Sequence, residues 1–414
     1  MSHVLRIILI MLASGALPAS AAPMGMDDAR HLLNRAGFGA RPADLAGFAQ
    51  LSHEAAVDRL LAGTRTDAAL SLPAELAEYL SPLRLRALPD EERKETQKRG
   101  ALALRAWWLG AMLGASTPAE QLRERMTLFW HNHFVSSLQK VKSAKLMLDQ
   151  NRMLRHYALG NFGDLLHAVG KNPAMVVYLD SATNRKGSPN ENFAREVMEL
   201  FTLGEGHYSE QDIREAARAF TGWSIEPETG EFRWRPFVHD GGSKTVLGVS
   251  GNLDGDAVLD ILLAQPQTAE FVVRKLWREF VSLTPDEGET RRIARRFRDS
   301  GYDIRVALRE IFSSRAFWAA ENRLALIKSP VDWVLGTLNS LELEAPDPLP
   351  LSFALRQLGQ DLFAPPNVKG WPGGETWINS STLLARKQFA ERVLRREGRM
   401  GLREVVLDPA YQLK

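Results

Sequence analysis

At 414 residues, 45 % of them hydrophobic, the chain is long enough to bury a large core without staples. It has no cysteine, which excludes disulfides, thiolate metal sites and a lipid-modified N-terminal cysteine. Its 52 basic and 50 acidic residues are interleaved and leave a net charge of only +2, with no aromatic stacking platform beside the basic runs, so nucleic acid is not an expected partner.

The chain opens like an export leader. Arg6 precedes the apolar run Ile7-Ile8-Leu9-Ile10-Met11-Leu12-Ala13, and Pro18 leads into Ala19-Ser20-Ala21-Ala22, with cleavage expected after Ala21 or Ala22. The apolar run falls well short of the ~20 residues that span a bilayer, and no later run is long enough. The expectation is a leader over 1–22 and a periplasmic mature chain over 23–414, with no lipid anchor and no integral membrane segment.

Beyond the leader, apolar residues recur at helical spacing. This predicts helices over 26–36, 42–50, 54–61, 91–113, 119–130, 146–159, 189–203, 210–220, 255–264, 268–281, 290–300, 304–313, 323–341, 352–358 and 376–396. No fixed-period repeat argues for a solenoid. One stretch breaks the pattern: Trp223-Ser224-Ile225, a turn over 226–230, then Phe232-Arg233-Trp234 alternate like a hairpin, followed by a loop carrying His239 and Asp240. A second interruption, 364–374, has the Pro/Gly density of a rigid connector. The fold expected is mainly α, a single large multi-helix domain with a small β-hairpin insert near 223–248, its flanks reaching about 250.

Few polar residues are placed to carry chemistry. His131 and His133 stand one residue apart in Trp130-His131-Asn132-His133-Phe134. If the helix from 119 runs on through the motif, His133 shares a face with Met126, Phe129 and Trp130, and His131 points about 200° away. Both can bind one metal only if the helix stops near Trp130 and the motif is extended. Otherwise His133 is a core histidine or a non-metal catalytic one, and His131 is exposed or at a helix end. In 188–203, Ser188-Pro189-Asn190-Glu191 reads as a capping box, and Glu191, Arg195 and Glu199 as an exposed ion-pair ladder. Glu196 falls inside the apolar arc, where a carboxylate must be paired, protonated or bound to a metal; Arg214 and Arg218 are the rival partners. His239 and Asp240 leave a strand for Gly241-Gly242, and Lys244 follows, able to neutralise an anionic group.

Taken in order, 28–39, Trp130–Phe134, 191–196, Glu199–Gly204, Phe220–Trp223, His239-Asp240 with Lys244, and Val368-Lys369-Gly370-Trp371-Pro372 resemble the exported bacterial family catalogued as domain of unknown function 1800. The resemblance spans nearly the whole mature chain. It implies a helical, exported protein whose gene neighbours encode a second exported family, similar to sulfatases and alkaline phosphatases. It implies no activity and no ligand set.

Two functions compete. The first is a metal-dependent enzyme, a hydrolase in preference to an oxidoreductase, with Zn, Mn or Fe held by His133, His131, Glu196, His239 and Asp240, and with Arg195 or Lys244 binding an anionic substrate group. The second is a non-catalytic partner of the sulfatase-like protein or of an envelope polymer, docking through Trp223, Trp234, Trp371 and Trp377. A structural reading of the same polar residues, as a buried network holding helices in register, stands beside both.

Overall fold

The helix around which the molecule is arranged starts at a capping box. Thr117 Oγ1 accepts from the Glu120 N–H, the Glu120 carboxylate accepts from the Thr117 N–H, and Pro118 fills the first turn, where its missing N–H costs nothing. In the computed structural model, which describes residues 22–62, 71–77 and 80–414, this helix runs over Pro118–His133. The expected leader up to Ala21 lies outside the described residues.

The Pro118–His133 helix separates two apolar clusters. One gathers Met126, Trp130, Phe134, Phe162, Phe201 and Trp277. The other gathers Trp108, Leu128, Trp333, Phe363, Trp371 and Phe389. A helix so placed has no solvent face to give its polar residues, so each must find a partner inside. Glu124 does so fully: Arg155 donates to it through Nε (2.6 Å) and Nη2 (2.9 Å), and the Trp108 indole donates from 3.1 Å.

The predicted mainly-α fold is observed. Helices dominate, and the strands among the described residues are β1 (Trp223–Ile225), β2 (Phe232–Trp234), β3 (Lys244–Val246) and β4 (Val249–Gly251). β1 and β2 form the expected antiparallel hairpin, with Trp223 opposite Trp234. The second pair, β3 with β4, occupies what reads as loop in the sequence. Among the described residues no helix is long and apolar enough to cross a membrane.

Three helices depart from the sequence pattern for identifiable reasons. The segment read as 189–203 starts only at Asn192, and the Ser188 capping box does not form. Asn184 Oδ1 accepts from the Asn190 N–H (2.9 Å), Asn190 Oδ1 accepts from the Asn192 N–H (3.0 Å), and Ser188 is drawn into a bridge with Arg185. From Val197 to Thr202 the helix then widens to π form, with the Leu203 N–H reaching the Met198 carbonyl at 2.8 Å. The segment read as 323–341 becomes helical only at Pro330, because Ser329 and Asp332 form a capping box there. The 376–396 segment starts at Ser380 under an Asn379 cap. Phe162–Gly170 and Pro173–Tyr178, unpredicted, complete the wall behind Trp130.

Candidate functional site: a cationic cavity beside His133

The helix does not stop at Trp130. It continues through the histidine motif because Asn132 is clamped from outside: its Oδ1 accepts from the Trp371 N–H (2.7 Å) and its Nδ2 donates to the Trp371 carbonyl (3.2 Å). The two imidazoles therefore diverge, one into each apolar cluster. His131 stands in the last turn, one of the two places expected of it if not a ligand, but it is buried rather than exposed, in an aromatic box of Trp108 (5.2 Å between ring centroids), Phe363 (5.2 Å) and Trp371 (5.9 Å). Its Nε2 has no partner, and burial pushes its pKa down to about 3.

His133 lies on the other side, also buried, with both ring nitrogens engaged. Nε2 meets the Phe201 carbonyl at 3.1 Å, and Nδ1 meets the Lys275 Nζ at 3.1 Å. A carbonyl can only accept, so Nε2 carries the hydrogen and Nδ1 is left to accept from the lysine. Lys275 Nζ also donates to the Leu200 carbonyl at 3.0 Å. The π turn explains why those carbonyls are free: Leu200 and Phe201 close the helix, where no intrahelical donor follows. Burial holds Lys275 down to about 7, with the neighbouring Arg278 charge acting in the same direction. The face of Phe271, 4.7 Å from Nζ, offers the charged form a cation–π contact of ~0.5–2 kcal/mol, too little to offset that desolvation.

Lys275 and His133 form part of the wall of a cavity of about 360 Å³, a volume in the range of ligand sites. Asn132, Trp371, Gly373 and Trp377 close one side, and Arg125, Arg278, Glu279, Asp332, Lys369 and Lys414 supply charge. Four of those charges balance: Asp332 lies 2.6 Å from Arg125 and 2.7 Å from Lys414, and Arg125 also meets Glu279 at 3.1 Å. The Arg125 Nε is left without a partner. Asp332 is held down to about 2; burial opposes this, and the Arg125 and Lys414 charges overcome it. Lys275 and Arg278 are not so matched. Among the described residues neither Lys275 nor Arg278 has a carboxylate within ion-pair distance, and Lys369 reaches Glu205 and Glu199 only at 3.5 and 3.9 Å. With Lys275 neutral, Arg278 leaves the lining one positive charge in excess.

The other residues singled out in the sequence stand elsewhere, most of them held by their own neighbours. Arg195 pairs with Glu210 (2.8 Å) and Glu191 (3.2 Å). The third rung of the expected ladder is absent: the π turn swings Glu199 away to accept from the Tyr208 hydroxyl at 3.0 Å. Glu196 is half-buried, and neither rival arginine reaches it. Arg214 binds Gln211, and Arg218 binds Glu215 and Asp240. Burial raises the Glu196 pKa, Glu199 adds to the rise, and Lys369 opposes it. His239 Nδ1 is held at the Thr221 carbonyl (2.8 Å). Arg218 keeps Asp240 at about 2. Lys244 is buried, donating to the Gly242 (3.0 Å) and Leu253 (2.8 Å) carbonyls. Of the nominated residues only His133 lines the cavity, and among the described residues no group of three or more His, Asp or Glu side chains is arranged to hold a metal ion. Of the four tryptophans expected to offer a docking surface, Trp223, Trp371 and Trp377 are buried and Trp234 is half exposed.

Lys275, Arg125 and Asp332 were missed in the sequence, yet each left a trace. Lys275 sits on the stripe Thr268, Val272, Lys275, Glu279, whose first two members are fully buried. Arg125 lies on the stripe Leu122, Met126, Phe129. Asp332 completes a Ser-Pro-x-Asp cap that a helix read straight across Pro330 conceals.

Fold and site together define a mainly helical pocket protein with a cationic cavity. The chain belongs to the family described as Protein of unknown function (DUF1800), whose model matches residues 31–412. No curated protein and no solved structure matches it. Two of the segments that carry the family resemblance, Trp130–Phe134 and Val368–Pro372, meet at the cavity, and a third, Glu199–Gly204, supplies the carbonyls that hold His133 and Lys275.

Proposed function

We propose that this is an exported protein whose cavity binds a small organic anion and acts on it through the Lys275 amine. The observation that carries the reading is the setting of Lys275: a half-buried lysine in a cavity wall, bound to one imidazole nitrogen and one carbonyl, with no carboxylate among the described residues to neutralise it. Lys244 is also held by two carbonyls without an acid; Lys275 differs in that one of its two partners is an imidazole. Arg278 and Lys369, both exposed side chains of the cavity lining, add positive potential that draws an entering anion. Trp371 and Trp377 supply an apolar wall. Export rests on the leader pattern before Ala22. The test is binding: glycolate or inorganic phosphate should raise the melting temperature above matched chloride, and Lys275→Met with Lys369→Met should weaken that binding by tenfold or more. An unchanged melting temperature with every small anion contradicts the reading.

A second reading, docking to a sulfatase-like exported partner, is favoured by one observation. Phe237 is 80 % and Trp234 50 % exposed, both on the insert. Capture of the co-encoded protein by the wild type but not by Trp234→Ser, Phe237→Ser would support it, and equal capture by both would remove it.

A further inference from the structure

Building on the anion-binding reading, we infer that Lys275 is a carbonyl-capturing amine and that the ligand class is a small anionic aldehyde or keto acid. The inference rests on a count of hydrogens. A neutral amine has two N–H bonds and one lone pair; an ammonium has three N–H bonds and none. Lys275 Nζ meets two acceptors, His133 Nδ1 at 3.1 Å and the Leu200 carbonyl at 3.0 Å, and the described residues offer it no third. The two acceptors use both hydrogens of the neutral form. In that neutral form what remains is a lone pair, on a residue that lines the cavity. His133 cannot turn to offer a different face, because its Nε2–H is committed to the Phe201 carbonyl. The amine is thus held with its nucleophilic valence free, and burial favours the form that has one.

The cations around it choose the substrate. A neutral carbonyl compound gains nothing from Arg278 and Lys369, whereas a carboxylate or phosphate attached near the carbonyl is drawn to them and places the electrophilic carbon at the amine. In the step itself the Nζ lone pair forms the C–N bond, and the carbonyl π pair moves to oxygen. His133 Nδ1 is the atom positioned to take one N–H proton and hand it to that oxygen. The carbinolamine then loses water as the C=N bond forms, so amine and carbonyl give imine and water, and no oxidant or metal is required.

The experiment is reductive trapping on the full mature chain at about pH 7. Glyoxylate with cyanoborohydride should place a carboxymethyl group on Lys275 on the order of a hundredfold faster than on any surface lysine, whose amine is almost wholly protonated there. Excess glycolate, which binds as an anion but has no carbonyl, should protect the site, and acetaldehyde should label it far less well. Lys275→Arg, checked for an unchanged melting temperature, should abolish the adduct. If that variant fails to fold, glycolate protection of the wild type still decides. Glycolate binding without a Lys275 adduct overturns this inference and leaves the anion site standing. Labelling spread evenly over surface lysines, with no effect of glycolate, overturns both.

Discussion

Lys275 Nζ lies 3.1 Å from His133 Nδ1, joining two residues 142 positions apart on different helices. The contact needs three things at once: a helix that does not break at Trp130, a π turn that leaves the Leu200 and Phe201 carbonyls free, and a lysine on a buried stripe. Its first consequence concerns the paired histidines. His131 sits in an aromatic box with its Nε2 unsatisfied, so His131→Phe removes an orphaned polar atom and should change stability by less than about 1 kcal/mol, or raise it. His133→Phe leaves the Lys275 amine and the Phe201 carbonyl short of a partner and should cost roughly 1–3 kcal/mol. Urea unfolding of the two variants checks the contrast; equal losses would remove it.

The fold was legible because helical periodicity is local. The helices at Gly25–Ala36, Gly255–Ala264 and Ile304–Phe312 lie within a residue of where the apolar pattern puts them. The site was half legible. His133 stood out as a histidine on an apolar face, but its partner is set by packing between helices that no local pattern encodes. His131 was misjudged because a helical wheel assumes one buried face, and this helix is buried between two clusters. Glu199 was misplaced because a π turn changes the angle per residue.

Lys275 makes stability depend on pH in the alkaline range. Its folded pKa, about 7, lies below the ordinary 10.5, so between those values the unfolded chain holds a proton that the folded chain has shed. Stability therefore rises with pH across that window and is flat in this residue below it. Relative to Lys275→Met, the wild type should gain at most roughly 2–5 kcal/mol from pH 7 to 10.5, read by denaturant titration. A constant difference would show an ordinary, charged lysine. His133 acts at the acid end: its depressed pKa supplies stability that is lost as pH falls below 6.5.

Asp332 is the anion that lets Arg125 and Lys414 be buried together. Asp332→Asn keeps the shape but removes the charge from between two cations, and should cost roughly 3–5 kcal/mol. Because the folded pKa is near 2 rather than 3.8, the stability it gives is present above pH 3.8 and lost as pH falls toward 2. Thermal unfolding of Asp332→Asn at neutral pH checks the size; a loss under 1 kcal/mol would mean the quartet is solvated.

Gly370 sets how closely the 364–374 loop approaches the histidine motif. Its φ is +82°, and a Cβ there would lie 2.2 Å from Asn132 Oδ1 and 2.7 Å from the Asn132 carbonyl. Gly370→Ala should cost ~1–3 kcal/mol from the backbone alone, and more from the clash, and should open the cavity wall formed by Trp371. A variant as stable as wild type, with unchanged tryptophan fluorescence, would contradict that packing.

The central claim is that Lys275 presents a neutral amine to the cavity, and competitive acetylation measures it directly. Trace acetic anhydride is supplied across pH 5 to 11, and labelling of each lysine is read by mass spectrometry. The account predicts that Lys275 labels with a midpoint near pH 7, well below the surface lysines. A midpoint near 10.5, or no labelling until the chain unfolds, would contradict it.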